Sequence, residues 1–412
     1  MGKLFTSAIA ILFAATSCKK QIESQEQTAG QSKEQITASC GTDISKISPS
    51  GRARLRESNM GTTFPASETL LYLDFDGAMV RPGFGGVGYS SGTGQTSLYT
   101  SAIVNSLRSL PAAPLTPEQI NQIVALVADD FSPFNIRITT DLSEYASYPR
   151  NLRQLHIITT FPNVVGLPFG IGGISPFTLD FIANQPSFSF ASVFIDPNIG
   201  IFGGSLEWLA STISHEVGHS IGLDHQPQLV SLPTNPCSFA FEYNRGYGSG
   251  PLGFAPIMGF GDKRVNNWFA QCRGGNFRPS AQDDYEFISS RIQVRSDDFP
   301  NTLGPGSVIT SNEITGILEG NKATGNPDVD FIKFNVRNPG PINISVTSEN
   351  IDIKASLYQG GRLIGEYNDP DDTHVQINAP KAAGMLFLKI EGASNINMDQ
   401  RFMTGQYKVT LN

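Results

Sequence analysis

His215, Glu216 and His219 stand in the order His-Glu-x-x-His, and Ser220-Ile221-Gly222-Leu223-Asp224 leads on to a further histidine, His225. Residues four apart on a helix share a face, about 6 Å along its axis at ~1.5 Å rise per residue. Both imidazoles can therefore reach one ion. Glu216, next to the first histidine, can stand beside the metal without binding it and take a proton from a bound water. Gly222 tolerates left-handed backbone angles, so the helix breaks there and the turn returns His225 as a third nitrogen. Three protein ligands leave the fourth tetrahedral position to water, the mark of a catalytic rather than a structural zinc site. The expected cofactor is one Zn2+ ion held by His215, His219 and His225, with Glu216 as the catalytic base. His-Glu-x-x-His alone also reads as a charged helix face; the glycine and the third histidine weigh against that reading.

The elements that must position these residues are legible around them. Leu206, Ala210, Ile213, Val217 and Ile221 form the apolar stripe of a helix that starts near Leu206 and carries the first two histidines. Upstream, Leu70 to Phe75 reads as a dense apolar strand, and Phe134–Thr140, Leu155–Thr159 and Phe188–Ile195 as further strands. Thr116-Pro117-Glu118 opens a helix that Ile120, Ile123, Val124, Val127 and Ala128 continue. A last helix is expected at about Ala281 to Ile292. His156, inside an apolar strand, reads as a core histidine rather than a ligand. The Gly83–Gly88 run lacks the lysine and following helix of a phosphate loop and reads as a mobile loop.

His215 to His225, together with Ala255-Pro256-Ile257-Met258-Gly259-Phe260, resembles the metzincin zinc metalloproteases. The resemblance implies an α+β catalytic domain with a mixed twisted sheet, a zinc helix and a C-terminal helix. It also implies a methionine turn at Met258 beneath the zinc, and zinc-dependent endopeptidase activity on a protein or peptide substrate. The Gly166–Pro176 segment would then supply the strand edge along which an extended substrate pairs. Many members carry a tyrosine ligand two residues after the methionine; Phe260 stands there, so none is assigned.

From Asp297 onward the sequence changes character. Six short runs read as strands: Ile314–Leu318, Asp330–Val336, Ile342–Val346, Ala355–Tyr358, Leu386–Ile390 and Gly405–Leu411. Their alternation and the turn residues between them indicate an all-β sandwich domain over 297–412, following a catalytic domain over 65–294. The order of these pieces is similar to the bacterial pre-peptidase C-terminal domain. Asp328 and Asp330 are candidate calcium ligands, with surface-turn aspartates the plainer reading. Every zinc ligand precedes this half, which is therefore expected to be dispensable for the chemistry.

Composition bounds the rest. The net charge is −8 and only 16% of residues are charged, with no basic cluster, which argues against a nucleic-acid partner. The chain is expected to act as a monomer. Residues 1–18 read as an export signal: Lys3, an apolar run from Leu4 to Ala15, then Ser17-Cys18. That ending resembles a lipoprotein signal, with Cys18 lipidated as the one membrane attachment; ordinary cleavage nearby is the alternative. Residues 19–64, rich in Gln, Glu, Ser, Thr and Lys, read as a disordered tether or propeptide. Cys40, in Ser39-Cys40-Gly41, is either a latency thiolate for the zinc or an incidental cysteine. Export to an oxidising compartment leaves Cys237 and Cys272 as the expected disulfide. The competing function class is a surface binding protein with an inactive zinc domain, which the presence of Glu216 disfavours.

Overall fold

The computed structural model describes residues 68–80, 108–167, 169–175, 186–196, 198, 205–229, 239–241, 243–261, 263–272, 281–320, 327–393 and 403–411. The export signal with Cys18, the 19–64 segment with Cys40, the Gly83–Gly88 run and Cys237 lie outside these residues. Cys272 closes a short strand, but its side chain also lies outside them, so the expected disulfide does too.

The first half is built on a five-stranded mixed sheet. Its strands are β1 (Thr69–Asp74), β2 (Ile136–Thr139), β3 (Arg153–Thr159), β4 (Gly173–Ile174) and β5 (Ser187–Phe190), in the order β2-β1-β3-β5-β4. All pairs are parallel except β4 with β5, so the edge strand alone runs the other way. Every residue of β1 is buried, as expected for a parallel strand covered on both faces.

Helix α1 (Pro117–Asp130) starts where Thr116 Oγ1 accepts the Gln119 N–H and Gln119 Oε1 accepts the Thr116 N–H, a reciprocal capping box with proline in the first turn. After α2 (Leu142–Ser147) and β5 comes α3 (Ala191–Ile195). The expected strand over Phe188–Ile195 thus stops at Phe190 and continues as a helical turn. A short apolar run buried along its length carries no periodicity to separate the two states.

Helix α4 (Leu206–Ile221) packs on α1 and on β5. Leu209, Ala210, Ile213, Val217 and Ile221 bury its inner face in a core shared with Ile123 and Val127 of α1 and Ile157 and Ile158 of β3. The small sheets that follow include β6 (Phe254–Pro256) parallel to β7 (Val265–Asn267) and β8 (Ala270–Cys272) antiparallel to β9 (Ala281–Asp283). The last helix, α5, is only Asp284–Ser289, shorter than the sequence suggests. Asp283 caps it, accepting the Glu286 N–H, and the residues before that cap are strand.

The second half is one seven-stranded sheet folded around its own core. Its strands are β10 (Val308–Ile309), β11 (Glu313–Leu318), β12 (Val329–Thr347), β13 (Ile353–Gln359), β14 (Arg362–Asn368), β15 (Val375–Gly392) and β16 (Gly405–Leu411). The path runs β11-β16-β12-β15-β13-β14, with β10 beside β12. Two expected strands, Asp330–Val336 and Ile342–Val346, are one strand, β12. Its register against β15 shifts around Gly340. Asn338-Pro339-Gly340-Pro341 looks like a turn in sequence but is an irregularity within the β12–β15 pair. Ile332 and Phe334 before it and Ile344 and Val346 after it then enter one apolar core, consistent with a β-sandwich. Strand β14 escapes the sequence reading because it is an exposed edge with no buried face to impose alternation.

The halves are not separate bodies joined by a linker. Phe254 of β6 and Val265 of β7 belong to the core of the second half. Asn267 Nδ2 donates to Thr404 O (2.9 Å) and its Oδ1 accepts from Thr404 Oγ1 (2.9 Å). Asp129 accepts the backbone N–H of Gln406, and Asn350 Nδ2 donates to Asp130 Oδ1 (2.9 Å).

Candidate metal centre

Helix α4 is set in place at both ends. Ser205 Oγ accepts the Trp208 N–H at its start. At its end Gly222 takes φ 105°, with its N–H on His219 O (2.9 Å) and the Leu223 N–H on Gly218 O (3.0 Å). That pair of bonds is a Schellman closure, which needs a left-handed residue and so a glycine. It reverses the chain within the two residues, Leu223 and Asp224, between Gly222 and His225.

Three buried imidazoles meet as a result. Their ring centroids are 4.7 Å apart for His215–His219, 5.2 Å for His215–His225 and 4.7 Å for His219–His225. His215 Nδ1 lies 2.8 Å from Ile257 O, and His219 Nδ1 lies 2.7 Å from Leu223 O. A carbonyl only accepts, so both rings carry their proton on Nδ1 and present a bare Nε2. The Nε2 atoms of His219 and His225 are 3.0 Å apart. Burial holds His215 down to a pKa of about 3, and His219 well below the usual imidazole range, so both stay neutral.

Neutral imidazole is the ligand form. A tetrahedral zinc with Zn–N of about 2.0–2.1 Å sets its nitrogens about 3.3 Å apart. One ligand atom from each of the three histidines lies within 4.8 Å of the others. The residues fit the ion that the spacing suggests.

Glu216 follows His215 and is buried, which pushes its carboxyl well above the usual range. Edge strand β4 passes directly against it. A Cβ built on Gly173 would lie 2.5 Å from Glu216 Cγ and 2.7 Å from Oε1. Only glycine lets the strand edge come this close. Gly173→Ala is expected to displace the Glu216 carboxylate; a crystal structure of the variant checks this, and an unmoved carboxylate would sink the placement.

Met258 is fully buried, and a Cβ on Gly218 would lie 2.5 Å from its sulfur. The methionine therefore sits against α4 at the glycine between the two helical histidines. The turn around it is woven to the histidine loop: Gln226 N to Met258 O (2.7 Å), Asn244 N to Gln226 O (2.7 Å), Phe260 N to Asn244 O (2.8 Å). Phe260 packs edge-on against Trp208, at 5.8 Å between centroids.

Two neighbours escaped the sequence reading. Gln226 is completely buried, and its Nε2 donates to Phe269 O (3.0 Å) and Asp284 Oδ1 (2.8 Å). The ring of Tyr243 lies 4.3 Å from that of His225 and 6.1 Å from that of His215. Neither has a local pattern to mark it; both gain meaning only when the chain folds back. His156 is a core residue as expected, its Nδ1 2.6 Å from Ser187 Oγ and its Nε2 2.9 Å from Ser189 Oγ.

A second cluster lies at the junction of the halves. Asp297, Asp298, Glu319, Asp328 and Asp330 form two overlapping groups that share Asp297, with ligand atoms within 4.8 Å in each. Asp328 and Asp330 are buried rather than surface-turn residues. The folded sheet covers them, and Tyr407 of β16 donates to Asp330 Oδ2 (2.6 Å). Both carboxylate oxygens of Glu319 and Oδ1 of Asp330 are buried without a hydrogen-bond partner. Burial, reinforced by Asp328, pushes Glu319 up to about 10 and Asp330 to about 9.

No protein-family model matches the chain, and no curated protein does. Among solved structures, the pre-peptidase C-terminal domain of a collagenase from Bacillus anthracis is similar at 20% identity, over 24% of this chain and 87% of that one, with a TM-score of 0.19. A periplasmic inhibitor of g-type lysozyme from Salmonella Typhimurium is similar at 18% identity, over 24% of this chain and 87% of that one, with a TM-score of 0.17.

Proposed function

We propose that this chain is an exported, metzincin-like, zinc-dependent endopeptidase. The observation that carries the reading is the convergence of buried His215, His219 and His225 with Glu216 beside them on α4. Bound zinc supplies a low-pKa water and a polarised scissile carbonyl. The chain's own residues do the rest. The Ile257 and Leu223 carbonyls fix the tautomers of His215 and His219. Glu216 accepts the proton of the attacking water and passes it to the leaving amine. Strand β4, at the sheet edge among the described residues and beside Glu216, would be the edge along which an extended peptide pairs. Digestion of a peptide library by purified protein, before and after a zinc chelator, tests this. Cleavage is expected to vanish with the metal and return with added zinc; cleavage indifferent to the chelator would remove the reading.

The acidic cluster supports a second cofactor, calcium, which takes six to eight oxygen ligands and tolerates irregular geometry. The orphaned Glu319 and Asp330 oxygens are the observation behind it. Calcium is expected to raise the thermal midpoint by roughly 5 °C at saturation, since a ligand specific to the folded state stabilises it. Glu319→Gln should abolish the rise. A midpoint that ignores calcium in the parent protein would remove the site.

A further inference from the structure

We infer that Tyr285, Asp284, Gln226 and Gln282 form a positioning relay through which a cation in the acidic cluster tightens the zinc centre. The inference rests on the two-metal reading above.

The relay is continuous. Glu319, the cluster member with both carboxylate oxygens unpartnered, precedes Gly320, whose carbonyl accepts from Tyr285 Oη (2.9 Å). Tyr285 follows Asp284 in α5. Buried Asp284 is the hub: Oδ1 accepts from Gln226 Nε2 (2.8 Å) and Gln282 Nε2 (2.8 Å), and Oδ2 from the Phe269 N–H (3.2 Å). Gln282 also clasps the backbone of Asp224, its Oε1 accepting the N–H (3.1 Å) and its Nε2 donating to the carbonyl (2.8 Å). His225 is thus bracketed by Asp224 and Gln226, each tied to a side chain held by Asp284. Gln226 also donates its N–H to Met258 O (2.7 Å).

The third histidine is the one ligand that α4 does not carry. Its position depends on this bracket. The cluster supplies the bias. A cation shared by these carboxylates draws them in and fixes the Glu319–Gly320 backbone where Tyr285 meets it. A cation that favours the drawn-in arrangement then favours the placed His225 as well. Linkage makes the effect reciprocal: zinc must raise cation affinity by the same factor.

The experiment uses the full chain, freed of metal on a chelating resin. Zinc affinity is read by competition with a chromophoric chelator, with and without calcium, and calcium binding by calorimetry. Calcium is expected to raise zinc affinity by about fivefold or more. Tyr285→Phe keeps the ring that packs on Phe134 but loses the hydroxyl. It should bind both metals with the shift gone. Glu319→Gln should lose calcium binding and keep the calcium-free zinc affinity. Equal zinc affinity with and without calcium, in protein that binds both, overturns the relay, as does an undiminished shift in Tyr285→Phe. Failure to bind calcium overturns the cluster reading and the relay with it, leaving the zinc centre. Failure to bind zinc overturns the proposed function itself.

Discussion

Glu216→Ala is expected to lower kcat/KM for peptide hydrolysis by roughly a hundredfold or more while leaving zinc content at the parent level. The separation follows from the geometry. The ligand nitrogens belong to His215, His219 and His225, and the bonds that orient the first two end on the Ile257 and Leu223 carbonyls. None of these contacts runs through the Glu216 carboxylate, so its removal leaves the metal held. What goes is the proton acceptor, together with the group that gives the proton to the leaving amine. His219→Ala is expected to act on the other variable, losing metal and activity together, because it deletes one of three ligands. Metal analysis and peptide kinetics on both variants decide the matter. Glu216→Ala with parental activity would end the protease reading, whereas loss of zinc from it would mean the glutamate also supports the ligands.

How much of this was legible in the sequence depends on whether a residue's role is local. Helix α4 was, because Leu206, the stripe through Ala210, Ile213, Val217 and Ile221, and Gly222 state its start, its buried face and its end within one short window. The three histidines followed from that helix and one turn. Gln226, Asp284 and Tyr243 were not legible, since their partners lie many residues away and polar side chains carry no periodicity. Asp328 and Asp330 misled for the same reason. In sequence they flank a turn; in the fold a strand from the far end of the chain covers them. The boundaries of β5 and β12 moved because a run buried along its whole length, or a proline-glycine bulge, gives the same local signal as a different element.

The chain cut after Val294 is expected to fail to fold into a stable, zinc-binding domain, although every zinc ligand lies before the cut. Sequence alone suggests the opposite, two cores with a dispensable second one. The packing argues against it. Removing the second half uncovers Phe254 and Val265, which sit in its core and border the Met258 turn on both sides. It also deprives buried Asn267, Asp129 and Asp130 of partners in Thr404, Gln406 and Asn350. Each large apolar side chain returned to water forfeits about 1.5–3 kcal/mol, against a total stability of about 5–15 kcal/mol for a domain. The damage falls where the site is built. Asp130 Oδ2 accepts from Ser214 Oγ (2.5 Å), the residue before His215, and Asp130 O accepts from Trp268 Nε1 (2.6 Å). Loss of Asn350 opens the Asp130 carboxylate, and with it its bond to Ser214, to solvent and so loosens α4 at its first ligand, and an uncovered β6–β7 pair loosens the floor beneath it. Circular dichroism melts and zinc titration of the shortened chain give the test: a cooperative melt with parental zinc affinity would show that the second half is an appendage, while a broad or absent transition with weak zinc binding is the expected outcome.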